Sequence, residues 1–350
     1  MCLSNNRDRA VTFSNTILLA AEVSINGQLR HLCGYHNKVT GSKASAPKSL
    51  WVEAASRVTR STGVDFGYDQ PAKPAKGKVK TNKPAAKVKP TAVALGNAML
   101  IAIPAKPGTV HGDNLIPVGD FPSFMTDYAK ALIPQRPKSR GGMRSRGSDS
   151  MKGVEIVSNF DNGTYDVIIA DSAKKIVKAI DAVAEAKRPQ VNAALYAQLD
   201  KLYPKWTFLL FCFSEDTAGK AGSALVSYEP MAEFEHVLYL PGLDGHSGMI
   251  EQGNVELNHT IVLSSHRMVD NGALKTVNFT ERAIEQKLPF LPKQVIGHVI
   301  PQGTMVPQGD FLFSCEEVTA GTFRALRAKP PGWLKVFGEQ SSTPFYIGKD

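Results

Sequence analysis

No stretch of this 350-residue chain approaches the roughly 18 consecutive apolar side chains that a membrane-crossing helix needs. The strongest apolar blocks, residues 98–103 and 208–213, have the length of strands. Near the N-terminus Arg7 and Arg9 precede an apolar stretch at 17–21, but Glu22 interrupts it too soon for a secretory leader. No membrane partner is expected. Cysteine is scarce: Cys2, Cys33, Cys212 and Cys315 lie far apart, with no CxxC pair and no short Cys-to-His spacing, which argues against a structural zinc site. A chain able to bury roughly 75% of its unfolded surface needs no disulfide staples. The expected setting is therefore intracellular and reducing.

Phosphate and metal signatures are missing as well. There is no GxGxxG opening a helix, no GxxxxGK[ST], no HExxH, no GxSxG and no EF-hand loop. Gly219-Lys220 is followed by Ala221 and lacks both the glycine spacing and the hydroxyl of a phosphate loop. Nucleotide-dependent chemistry of the common kinds is disfavoured, and no cofactor or metal is expected.

Positive charge is abundant but unevenly placed. Residues 71–90 carry Lys73, Lys76, Lys78, Lys80, Lys83, Lys87 and Lys89 with no acid. Residues 136–152 carry Arg136, Lys138, Arg140, Arg144, Arg146 and Lys152 against Asp149 alone. These segments contribute +7 and +5, so a chain of net charge +9 is left with −3 elsewhere. Prolines at 71, 74, 84 and 90 remove amide donors, and the lysines repel one another, so the first segment is expected to be a mobile, partly polyproline-like chain. Gly141, Gly142 and Gly147 among serines give the same expectation for the second. Such tracts suit loose contact with the phosphates of a nucleic acid, or with an acidic protein surface. They equally suit a solvated, solubilising loop. No helix-turn-helix, zinc finger or aromatic RNA-binding strand pair is present, so any nucleic-acid contact is expected to ignore base sequence.

The two basic segments, 68–90 and 135–152, divide the chain into blocks of 1–67, 91–134 and 153–350. The middle block is too small for its own core, which argues for one domain assembled from all three. Strands are expected at 11–21 and 29–35 around Asn26-Gly27, a dipeptide in which both residues tolerate positive φ. A short helix is expected at 50–59. A strand at 98–103 stops at Pro104, and a helix opened by Asp120 and Pro122 runs to Leu132 with Phe124, Tyr128 and Leu132 on one stripe. Strands at 153–159 and 165–170 follow. Asp171 is expected to cap a helix through Lys187, and a second helix buries Leu195 and Leu199 before Pro204. Six strand candidates come next, at 208–213, 223–228, 236–240, 260–264, 294–300 and 310–315. Helices gathered mid-chain between groups of strands predict an α+β fold with predominantly antiparallel sheets.

Two groups of residues could carry chemistry. Removal of Met1 would give Cys2 both a thiol and a free α-amine, and the amine, ordinarily near pH 8, can act as the local base. With an apolar strand and a turn close behind, this opening resembles that of the N-terminal-nucleophile hydrolases. Those enzymes cleave amide bonds from a sandwich of two sheets flanked by helices. The likeness covers only the first thirty or so residues, and no motif carries over that family's oxyanion or substrate-binding residues. The second group is Asp244 and His246 in the string 243–248, with His259 and His266 downstream. Asp244 orienting His246 is a general-base arrangement lacking an identified nucleophile. An Asp and two histidines suit a divalent metal, but the same string reads as a tight glycine-rich turn. Two classes stay open. One is a non-enzymatic assembly or packaging protein, compatible with oligomerisation, whose basic segments touch nucleic acid or another polyanion. The other is an amide hydrolase using Cys2.

Overall fold

The computed structural model describes residues 2–3, 12–40, 96–133, 149–151, 153–218, 222–245, 250, 253–324 and 326–328. The helix expected at 50–59, the whole of segment 68–90 and residues 135–148 and 152 lie outside them.

After a short β1 (Cys2–Leu3) comes the hairpin on which the larger sheet is built. β2 (Thr12–Ile25) and β3 (Gln28–Thr40) are joined by Asn26 and Gly27, whose φ values of 52° and 78° are those of a two-residue turn matching strand twist. Then follow β4 (Asn97–Ile103), helix α1 (Phe124–Leu132), β5 (Asp149–Met151), β6 (Val154–Asn159) and β7 (Tyr165–Ala170). Helices α2 (Ala173–Ala179) and α3 (Ala193–Leu202) stand mid-chain. Beyond them lie β8 (Thr207–Phe213), β9 (Ser223–Tyr228), β10 (Val237–Leu240), β11 (Asp244–Gly245), β12 (Asn254–Leu257), β13 (Thr260–Ser265) and β14 (Lys275–Thr276). The described chain closes with α4 (Ile284–Lys287), β15 (Gln294–Val299), β16 (Thr304–Pro307), β17 (Asp310–Ser314), α5 (Cys315–Thr319) and β18 (Leu326–Ala328).

Among the described residues the strands form a six-stranded sheet ordered β14-β15-β13-β2-β3-β9 and a five-stranded sheet ordered β4-β8-β7-β6-β5. Smaller pairings are β10-β17-β18, β12-β16 and β1-β11. Pairing is antiparallel except between β13 and β2 and between β1 and β11. The fold is α+β with predominantly antiparallel sheets and a mid-chain group of helices.

Period-two alternation explains the layering, because successive side chains of a strand leave opposite faces. Leu18 and Ala20 of β2 meet Val167 of β7 and Phe211 of β8 in a core between the two large sheets. Their neighbours Ile17, Leu19 and Ala21 pack on the other face beneath Phe124, Met125 and Tyr128 of α1. On β8, Phe208, Leu210 and Cys212 turn away from the central core toward Ile176 of α2 and Leu199 of α3. The order is helix, sheet, sheet, helices. Both sheets are covered twice, which is why β2 and β8 read as continuous apolar runs rather than alternating ones. Each fully buried Leu, Ile or Phe contributes about 1.5–3 kcal/mol of transfer free energy. Close approach of β13 requires Gly297 on β15: a Cβ there would stand 2.1 Å from the Ile261 carbonyl oxygen, and 2.8 Å from Leu132 Cδ1 of α1.

At the end of the basic segment expected to be mobile, Asp149–Met151 pair antiparallel with β6, Met151 opposite Val154. Two expectations need correction. The helix predicted for 171–187 stops at Ala179 and continues as two 3-10 turns, Ile180–Ala182 and Glu185–Lys187. Its N-cap position is Ser172; Asp171 pairs with Lys175 instead, while Asp200 of α3 accepts from the Ala173 and Lys174 amides. The break lets Lys187 turn inward to Asp166 Oδ1 at 2.9 Å, and Arg188 satisfies the carbonyls of Asp181 and Val183. The predicted strand 310–315 ends one residue early, at Ser314, whose hydroxyl caps α5 through the Glu317 amide.

Candidate functional site

Cys2 and Asp244, nominated separately from sequence, are backbone neighbours. β1 runs parallel to β11 with Cys2 in register with Asp244 and Leu3 with Gly245. The turn leading into β11 is held from below by Asp310, whose Oδ1 accepts from the amides of Gly242 at 2.9 Å and Leu243 at 3.0 Å. Its Oδ2 accepts from the Tyr203 hydroxyl at 2.7 Å. Asp310 is wholly buried, and burial raises its proton affinity against the opposing pull of these donors. His246 and the thirteen basic side chains of the two segments lie outside the described residues. His266, weighed with Asp244 as a metal donor, faces Glu22 instead, with Nδ1 3.1 Å from Glu22 Oε2.

That contact belongs to a group the sequence reading missed. Glu22 of β2 and His31 of β3 are register partners across the hairpin, and Cys315 opens α5 beside them. One donor atom from each lies within 4.8 Å of the others. His31 is 1% exposed, and neither ring nitrogen has a hydrogen-bond partner. The nearby Glu235 backbone, like Glu22, raises the proton affinity of the ring. Burial lowers the His31 pKa to about 4, opposed by the Glu22 charge, so the ring is neutral near pH 7. A buried imidazole with both nitrogens unpaired costs about 1–3 kcal/mol per unsatisfied group. Burial and the Glu22 carboxylate push the Cys315 thiol up to about 12. Glu22 is oriented by Ser265 Oγ, which donates to Oε2 at 3.0 Å and is itself bonded to Thr319 Oγ1. Arg267 Nε donates to His266 Nε2 at 2.8 Å, which leaves the ring proton of a neutral His266 on Nδ1, facing Glu22. One half of this group was legible: counting outward from Asn26-Gly27 sets Glu22 opposite His31. Cys315 carried no such signal.

A cleft of about 300 Å³ lies on the five-stranded sheet, lined among others by His111, Glu155, Asp171 and Thr207. Glu155 is engaged there by the Gly112 amide at 3.0 Å and by His111 Nδ1 at 3.4 Å. Cys33, Cys212 and Cys315 are buried free thiols. No helix among the described residues is long and apolar enough to cross a membrane.

No protein-family model matches the chain, and no curated protein matches it. Solved structures give a loose likeness. The crystal structure of baculovirus P35 aligns with a TM-score of 0.35 at 9% identity, over 91% of this chain and 93% of that one. A mutated baculovirus P35 after caspase cleavage gives 0.37 at 8%, over 90% and 100%. The caspase-8/P35 complex gives 0.34 at 8%, over 90% and 96%. At such scores the likeness carries no conclusion about site or activity.

Proposed function

We propose that this is a non-enzymatic assembly or packaging protein whose basic segments, 68–90 and 135–152, contact nucleic acid or another polyanion. The observation that carries the reading is the separation of charge: +12 in residues 71–90 and 136–152, against −3 in the rest of the chain. Local pairing of the folded part's cations supports it. Lys130 pairs with Asp127, Lys187 with Asp166, Lys287 with Asp120 and Arg324 with Glu317. Cations already neutralised by neighbouring carboxylates add little to phosphate attraction. The three blocks form one body in this reading, supported by β3 pairing with β9 and β4 with β8 across the segment boundaries. A reducing, intracellular setting is part of the same proposal.

The test is a salt titration of binding to unrelated DNA and RNA oligomers, with the full chain and with both segments deleted. If about half the basic side chains engage, log K falls against log salt with a slope of roughly −5 to −6 on duplex DNA. Scrambling the base sequence changes affinity little, because contact is with phosphates. Absence of binding near 50 mM salt, or binding unchanged by the deletions, refutes the assignment.

The register of Cys2 with Asp244 favours a second reading, an amide hydrolase in which Cys2 is the nucleophile after loss of Met1. Here an intact mass lacking Met1 must accompany activity, and Cys2→Ala must abolish turnover while leaving the unfolding transition in place. Active protein that retains Met1 eliminates this mechanism.

A further inference from the structure

We propose that Glu22, His31 and Cys315 form a binding site for zinc. Three donors of different kinds, one carboxylate oxygen, one imidazole nitrogen and one sulfur, converge within 4.8 Å of one another. That mixed set suits a borderline-soft ion bound tetrahedrally, whereas magnesium and calcium take oxygen donors. His31 supplies the second, independent observation. It is 1% exposed, and both its ring nitrogens lack a partner, although buried polar groups are ordinarily satisfied. A metal ion on one nitrogen gives this ring the partner it lacks, and a neutral imidazole is the form that ligates.

The surroundings match those of a metal ligand set. Glu22 Oε2 is held by Ser265 Oγ at 3.0 Å and faces His266 Nδ1 at 3.1 Å, and Ser265 is backed by Thr319 at 3.0 Å. Carboxylate ligands in metal sites are oriented by outer hydrogen bonds of this kind. The Glu22 and His266 side chains keep 12% and 23% of their surface exposed, and His236 beside the group is exposed, so the donors sit just below the surface. Three protein donors leave a fourth position of the tetrahedron open to water or to a further side chain. Binding breaks the Cys315 S–H bond and forms an S–Zn bond, and the released proton passes to solvent. The ion would tie the β2–β3 hairpin of the six-stranded sheet to the end of β17, which belongs to the three-stranded sheet.

Cobalt(II) titrated into the purified, metal-free full chain reports the site, because a cobalt–thiolate bond has its own charge-transfer absorption. We expect one cobalt per chain, with that absorption, displaced by stoichiometric zinc. Cys315→Ser and His31→Gln should abolish it, and Ser265→Ala, which keeps all three donors, should weaken affinity about 10- to 100-fold. Thermal unfolding of the metal-free variants separates loss of a donor from loss of the fold. Should His31→Gln fail to fold, Cys315→Ser and Glu22→Gln carry the comparison. No thiolate absorption in the parent protein, or an absorption that survives Cys315→Ser, overturns the proposal.

Discussion

Replacing Asp310 by alanine is expected to destabilise the protein by at least about 3 kcal/mol, measured by urea unfolding at pH 7. The side chain is wholly buried and accepts three hydrogen bonds, from Tyr203 and from the Gly242 and Leu243 amides. Alanine leaves these three buried donors without their acceptor, and each loss of that kind costs about 1–3 kcal/mol. Asparagine is the informative contrast, since its carbonyl oxygen can still accept from both amides. It also removes a titration. Because burial raises the Asp310 pKa, the native state holds this proton at pH values where the unfolded chain, near 3.9, has lost it. Stability from this group therefore falls as pH rises above about 4, until the native pKa is passed. Asp310→Asn should flatten that part of the stability–pH profile. A profile indistinguishable from the parent's would show that Asp310 is not the group titrating. Because the Gly242 and Leu243 amides lead into β11, loss of Asp310 should also loosen the pairing that sets Cys2 beside Asp244.

Lys187→Met should cost about 3–5 kcal/mol, for a different reason. Lys187 Nζ lies 2.9 Å from Asp166 Oδ1 and also donates to the Gly163 carbonyl at 2.8 Å. The Asp166 side chain is 5% exposed, so removing the cation strands a carboxylate that retains only the Asn159 and Ala184 amides. Burying an uncompensated charge is expensive, whereas replacing both members of such a pair often is not. The double variant Asp166→Asn/Lys187→Met should thus recover most of the lost stability. Additive losses in the double variant would mean that the two residues act independently.

Local chemistry determined a good part of this architecture. Asn26-Gly27 dictated the β2–β3 hairpin because few other dipeptides accept positive φ twice, and Pro104 ended β4 because it cannot donate to a ladder. The apolar runs at 98–103 and 208–213 had strand length, and the Phe124–Tyr128 stripe had helical period, so their buried faces were readable. The charge imbalance is a property of composition and needs no fold. Other features depend on which faces find one another, and no local signal reports that. The parallel pairing of β13 with β2 joins residues more than two hundred positions apart. The break after Ala179 accompanies the contact of Lys187 with Asp166, which is invisible to helical periodicity. The ribbon of β12 and β16 was missed because four-residue strands carry too few alternations to stand out. The same limit governs the sites: hairpin register alone sets Glu22 opposite His31, but only packing of the β10–β17 layer brings Cys315 to them. Periodicity and turn chemistry act over a few residues, whereas the choice of partner is settled by burial of whole surfaces.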